Sequence, residues 1–167
     1  MNLRAEGPAD VEPVDRVNRE AFGQEDEALL VARLRGSDAF IPELSIVAEE
    51  DGKVVGHILF SRVELDPPSA LRVISLAPMS VLPQHQRRGI GSALVERGLE
   101  VANGLGEEVV VLVGHPEYYP RFGFEPASKY GLTNPFPGTE EAFFAMALRE
   151  GIRIPSGQVV YSPEFEA

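Results

Sequence analysis

Val81-Leu82-Pro83-Gln84-His85-Gln86-Arg87-Arg88-Gly89-Ile90-Gly91-Ser92-Ala93-Leu94 decides how the chain is read. An apolar stretch runs into Pro83, a basic turn follows, and after Gly89 and Gly91 an apolar-periodic segment begins at once. That order predicts strand, glycine turn, helix. The first turn of a helix leaves backbone N–H groups unpaired and carries a partial positive charge. Glycine lets an anion approach that backbone closely. Arg87 and Arg88 add two cations beside it. The stretch therefore predicts a site for a phosphate or pyrophosphate.

Two phosphate loops fail against it. A P-loop ends in Gly-Lys-Ser/Thr, whereas Gly91 is followed by Ser92 and Ala93. A dinucleotide fingerprint needs a third glycine where Leu94 stands. These failures oppose a nucleotide-phosphate binder. Composition narrows the class further. The 167 residues suit one domain, 1–167, and 44% are apolar, ordinary for a globular protein. Lys+Arg number 15 against 26 Asp+Glu, a net charge of −11. That balance argues against nucleic acid or an anionic membrane as partner and suits a cationic one. With no cysteine there is no disulfide framework, thiolate metal site or cysteine nucleophile. His57, His85 and His115 lack metal-ligand spacing, and no metal is expected. The first residues carry no apolar signal core, and the longest purely aliphatic run, Val109 to Val113, is too short to span a bilayer. A cytoplasmic location is expected.

Outward from the glycine turn, the helix is expected over Gly89 to Gly104, with Ile90, Leu94, Val101 and Leu105 on one face. Val109 to Val113 reads as a strand buried on both sides, which makes strand, helix, strand a parallel crossover. Upstream, Leu71 to Leu82 reads as a strand with Pro78 in its middle, a residue that belongs at an edge or a bulge. Asp51-Gly52 is a hairpin signal between strands Leu44 to Glu49 and Lys53 to Leu65. Asn2 to Glu6 is a short first strand. Helices are expected over Pro8 to Phe22 and Glu25 to Arg35, closed by Gly23 and Gly36. Downstream, Pro116 can open a short helix that Pro120 and Gly123 stop. Pro126 to Ala142 reads as a long loop, and Phe143 to Leu148 and Gly157 to Tyr161 as strands.

Gln86-Arg87-Arg88-Gly89-Ile90-Gly91, as Q-x-x-G-x-G after a strand, resembles the acetyl-CoA motif of the GNAT superfamily of N-acetyltransferases. Tyr119-Pro120-Arg121-Phe122-Gly123-Phe124 is similar to that family's Tyr-x-x-x-Gly-Phe, in the expected order and spacing. The resemblance covers Val73 to Phe124, and the flanks only through element order. His115-Pro116-Glu117-Tyr118-Tyr119 and Tyr161 resemble one branch in particular. One departure is clear: where many members carry an asparagine about seven residues before the tyrosine, this chain has Leu112.

The resemblance implies an α/β sandwich with a mixed, mostly antiparallel twisted sheet, splayed at a bulged central strand and covered by helices on both faces. It implies acetyl-CoA as co-substrate, with the pantetheine arm against the open backbone of Met79, Ser80 and Val81. The pyrophosphate would lie on the turn Gln86, Arg87, Arg88, Gly89, Ile90, Gly91 and Ser92. His115, near the missing asparagine, and Phe122 stand beside the cofactor. A neutral primary amine then attacks the thioester directly in a ternary complex. The N–H near Val81 faces the oxyanion, and Tyr119 gives a proton to the leaving thiolate. Tyr118, a quarter-turn away on a helix, is assigned to packing. For the general base the candidate is Glu43, with Glu49, Glu64 and His57 as others that also read as surface groups. The acceptor, a small-molecule or peptide amine, is expected against Phe22-Gly23, Phe40 to Glu43, Tyr130 and Phe136. No Gly-x-Ser-x-Gly elbow supports a hydrolase. The competing reading is a non-catalytic CoA- or acyl-CoA-binding regulatory module. Exposed strands near the C-terminus offer an edge for a homodimer.

Overall fold

Prolines and glycines punctuate the chain, and between them the elements follow as β1 (Asn2–Ala5), α1 (Val11–Phe22), α2 (Asp26–Arg35), β2 (Phe40–Glu50), β3 (Lys53–Asp66), β4 (Val73–Val81), α3 (Ile90–Gly104), β5 (Val109–Val113), β6 (Glu125–Pro126), β7 (Leu132–Thr133), β8 (Phe143–Ala147) and β9 (Gly157–Val160). The computed structural model describes residues 1–166. Local chemistry explains several boundaries. Asp51 (φ 49°) and Gly52 (φ 77°) supply the left-handed pair that a tight turn between twisted strands needs. Gly23, at φ 67°, closes α1 by donating its N–H to the Arg19 carbonyl at 2.9 Å.

The sheet runs in the order β1-β2-β3-β4-β5-β8-β6, and β9 joins the far end of β3 and pairs with β7. Within it β4 and β5 are parallel, joined by the α3 crossover, and the other pairings along that order are antiparallel. Alternation along β3 assigns the helices to faces. His57 bonds to Asn18 of α1. Its neighbour Gly56 lies under Ile90 and Leu94 of α3, and Phe60 lies under Gly98. Thus α1 and α3 cover opposite faces. On the α1 side, the other half of the sheet is covered by chain rather than helix: Ala127, Leu132, Ile154 and Val159 pack on Val73, Val109, Val111, Phe143 and Ala145.

Pro78 lies in a part of β4 that pairs with β3 alone. Its register against β3 jumps from Leu76 opposite Phe60 to Met79 opposite Ile58, so Ala77 and Pro78 stand against Leu59 alone. That is a bulge beside an open edge, and both suit a proline without an N–H. Parallel pairing with β5 ends at Ser75 opposite Val111. Beyond that pair, the two strands part.

Three local expectations need correction. The buried stripe of α3 is Ile90, Leu94, Val95, Gly98 and Ala102, with Val101 and Leu105 only partly covered. Gly98 lets the helix axis settle on Phe60, which rotates the stripe. Pro116 opens no helix: turns lead into a short 3-10 segment at Tyr119–Phe122, with Pro120 inside its first turn. The stretch expected as a loop carries β7, the end of β6 and two 3-10 turns.

Candidate active site

The glycine turn is built as a cradle of free N–H groups. Arg87 takes φ 64° and Gly89 φ 82°, which turns the chain from β4 into α3. None of the N–H groups from Arg87 to Ser92 donates to a backbone carbonyl among the described residues. The Gln86 side chain ties the turn back to its strand, donating Nε2–H to the Val81 carbonyl at 3.0 Å. The groove in front is lined by Met79, Val81, His85, Gln86, Arg87, Gly89 to Ser92, His115, Tyr118 and Arg121. Gly91 faces it tightly, since a Cβ there would lie 3.3 Å from Met79 Cε and 3.6 Å from the Tyr118 hydroxyl. Met79, His115 and Tyr118 also line a second, larger space.

That second space is a cleft of about 560 Å³ passing through the sheet where β4 and β5 part. Ser75 to Met79 form one side, and Val113, Gly114 and His115 the other. The far end opens toward Phe22, Glu27 and Leu30 of α1 and α2, and toward Phe136, Tyr161 and Phe165. The backbone direction of β4 matters here. Leu82 donates its N–H to Val55 on β3. By alternation the N–H and carbonyl of Val81 point the other way, toward the splay, where that carbonyl meets Gln86.

Beside Tyr118, which lines both cleft and groove, Tyr119 lines the cleft. Its ring packs edge-on against Tyr118 and Phe124, with centroids 5.0 and 6.0 Å away. Gly114 allows this, because a Cβ there would lie 2.9 Å from Tyr119 Cδ2. Burial, helped by Tyr118, pushes its hydroxyl up to about 12. At neutral pH it is a protonated phenol that can donate. Tyr118 does more than pack. Its hydroxyl shares a hydrogen bond of 2.9 Å with Ser92 Oγ at the start of α3, and the Arg121 guanidinium lies 4.5 Å above its ring. A quarter-turn offset belongs to an α-helix, and the chain forms none here.

The remaining candidates divide. His115 lines both groove and cleft. Phe122 packs against Tyr118, ring centroids 5.2 Å apart, behind the groove. Arg88 extends into solvent, 3.9 Å from Glu50. The Ser80 side chain turns to the opposite face and donates to Asn18 Oδ1 at 2.9 Å. Glu43 is exposed in the irregular start of β2 and is absent from the cleft lining, as are Phe40, Ile41 and Tyr130. Glu49 pairs with Arg4. His57 is a core residue rather than a surface group: burial first, and the charge of Arg35 second, push it down to about 3. The carboxylate at the cleft is Glu27, which sequence reasoning passed over because nothing local sets it apart on α2. Phe165 joins the lining only through the packing of the terminal turn.

The model of the GNAT family of acetyltransferases matches residues 11–124. The chain belongs to this family. It is 34% identical to the uncharacterized N-acetyltransferase YhbS of Escherichia coli, over 99% of this chain and 98% of that one. It is 41% identical to the uncharacterized N-acetyltransferase YjhQ of E. coli K12, over 80% and 75%. The crystal structure of E. coli YhbS in complex with CoA superposes with a TM-score of 0.91, covering 99% of this chain and 92% of that one at 34% identity. A GNAT family acetyltransferase from Brucella melitensis in complex with acetyl-CoA gives 0.82, covering 98% and 97% at 35% identity. The expected fold class is the observed one. No helix among the described residues is long and apolar enough to cross a membrane.

Proposed function

We propose that the protein transfers the acetyl group of acetyl-CoA to a primary amine by direct attack in a ternary complex. The observation that carries this reading is the continuity of the groove before the free N–H groups of Arg87 to Ser92 with the cleft along the splayed edge of β4 that Tyr119 lines, Met79, His115 and Tyr118 belonging to both. The residues present fit the co-substrate: unpaired donors suit a pyrophosphate, and a strand edge without a partner suits an amide-bearing arm. Acetyl-CoA supplies the thioester. The N–H groups of Arg87 to Ser92 hold the diphosphate, and Met79 and Val81 receive the arm. The amine nitrogen forms a bond to the acyl carbon, and the Val81 N–H faces the oxygen that gains charge. As the C–S bond breaks, Tyr119 gives its proton to sulfur and recovers one, through water, from the acylated nitrogen. The cleft is complete within one chain, so the reading needs no homodimer. It treats 1–167 as one N-acetyltransferase domain acting in the cytoplasm.

A thermal-shift titration with acetyl-CoA, with ATP and NADH as controls, tests the assignment. Ligand at a hundred times its dissociation constant stabilises by about 2.7 kcal/mol. A shift with acetyl-CoA alone is expected. An equal shift with ATP would reduce the cradle to a general phosphate site.

A further inference from the structure

The acceptor end of the cleft has a wall made from three separate segments. Phe136, Tyr161 and Phe165 stack in a row, with centroid separations of 4.9 Å at each step and interplanar angles of 45° and 50°. The row is held from behind. Asn134 Nδ2 donates to the Tyr161 hydroxyl at 2.7 Å, its Oδ1 accepts the Phe136 N–H at 2.9 Å, and Thr139 Oγ1 donates to the Phe136 carbonyl at 2.7 Å. Burial pushes Tyr161 up to about 12, so its ring carries no charge at neutral pH. Phe22 and Leu30 line the same end of the cleft, where α2 packs on the terminal turn that carries Phe165. Glu27 is the one carboxylate of the lining, and no Lys or Arg belongs to it among the described residues. Glu27 lies at the rim, where Gln24 Nε2 donates to both its oxygens at 3.0 and 3.2 Å.

Resting on the acetyltransferase reading, we propose that the acceptor is a small amine with a flat apolar body and no acidic group, such as an arylalkylamine. The aromatic row, with Phe22 and Leu30, lines the apolar space that takes the body. The Glu27 carboxylate draws the ammonium form to the mouth, where it gives one proton to solvent water and goes on as the neutral amine. An amino acid would bring its carboxylate into an apolar space that no Lys or Arg lines, past Glu27 of the same sign, with Arg33 outside in the neighbouring rim pocket. That burial is costly, and it is the discriminating element. A polar amine such as ethanolamine leaves the wall uncovered.

The test measures thioester consumption with saturating acetyl-CoA and 2-phenylethylamine, L-phenylalanine, ethanolamine or a tetrapeptide beginning with phenylalanine. Acetyl-CoA binding is measured separately by calorimetry. 2-Phenylethylamine should exceed each of the others in kcat/KM by about tenfold or more. Glu27→Gln should raise KM for 2-phenylethylamine several-fold and leave the calorimetric Kd for acetyl-CoA unchanged. Phe165→Ala should narrow the gap between 2-phenylethylamine and ethanolamine. Acetyl-CoA binding with equal or better use of phenylalanine, ethanolamine or the peptide overturns the proposal while leaving the acetyltransferase reading intact. So does binding without transfer to 2-phenylethylamine. Failure of acetyl-CoA to bind overturns both.

Discussion

Tyr119→Phe isolates one proton. The ring sits 8% exposed between Tyr118, Phe124 and the flat face of Gly114. Phenylalanine keeps every one of those contacts. The hydroxyl's shift comes from burial and from Tyr118, with no hydrogen bond contributing, so its loss leaves no partner stranded. Folding stability should therefore stay within about 0.5 kcal/mol of the parent. Catalysis should not. A positioned proton donor contributes about a hundred- to ten-thousand-fold, equivalent to about 3 to 5 kcal/mol on the barrier. In the variant, CoA leaves as the bare thiolate or takes its proton from water. The assay is steady-state release of CoA thiol alongside calorimetric acetyl-CoA binding. kcat should fall by at least about a hundredfold with Kd unchanged. The pH profile adds an independent check. A phenol raised to about 12 is in its donor form below that pH and loses it above. The wild-type rate should rise with pH as the amine deprotonates and show no descending limb before about pH 10. A variant within about twofold of wild-type kcat, with binding intact, would refute the role assigned to Tyr119.

Two further substitutions probe the frame that positions this site. Gly98→Ala should destabilise the fold by about 1 to 2 kcal/mol in chemical denaturation. The new methyl lies 2.6 Å from Cζ of fully buried Phe60, which outweighs the gain of up to about 1 kcal/mol in helix propensity; an unchanged midpoint would show that α3 has room to lift. Glu107→Gln should cost about 2 kcal/mol at neutral pH. The Glu107 carboxylate, buried under α3, accepts from Arg62 at 2.7 and 2.6 Å and from Arg72 at 2.8 Å. Burial is the largest single influence and opposes ionisation, but the two guanidinium pairings together hold the carboxyl below its ordinary range. A depressed folded pKa stabilises above the unfolded value and stops doing so as pH falls through that range. The Tm gap between wild type and variant should accordingly be full at neutral pH and narrow below about pH 4.5; a gap that persists in acid would sink the electrostatic account.

What the sequence reveals about this protein is bounded by the reach of local rules. Gly89, Asp51-Gly52 and Pro78 each impose a backbone requirement within a few residues, so the turn into α3, the hairpin and the bulge at the splay could all be read in advance. Tyr118 could not, because its assignment needed the angle between successive side chains, and that angle belongs to whichever helix forms. The carboxylate at the cleft could not either. An irregular stretch between Phe40 and Ser45 turns Glu43 to solvent, and the packing of α2 on the terminal turn brings Glu27 in from elsewhere. His57 shows the limit most clearly. Asn18 Nδ2 can only donate: one hydrogen goes to the Val14 carbonyl at 3.1 Å, so the other makes His57 Nδ1 an acceptor at 3.3 Å. Nε2–H must then donate to Ser45 Oγ at 2.9 Å, which donates in turn to Glu6, the partner of Arg35. Ser80, on the strand that flanks the cleft, enters the same chain through Asn18 Oδ1. Every donor points toward the Glu6 carboxylate, so the tautomer and the neutral state of His57 are fixed together. Five separate segments fix them, and for that reason a histidine that reads as a spare base in a strand is instead a fastening between α1 and the sheet that carries the site.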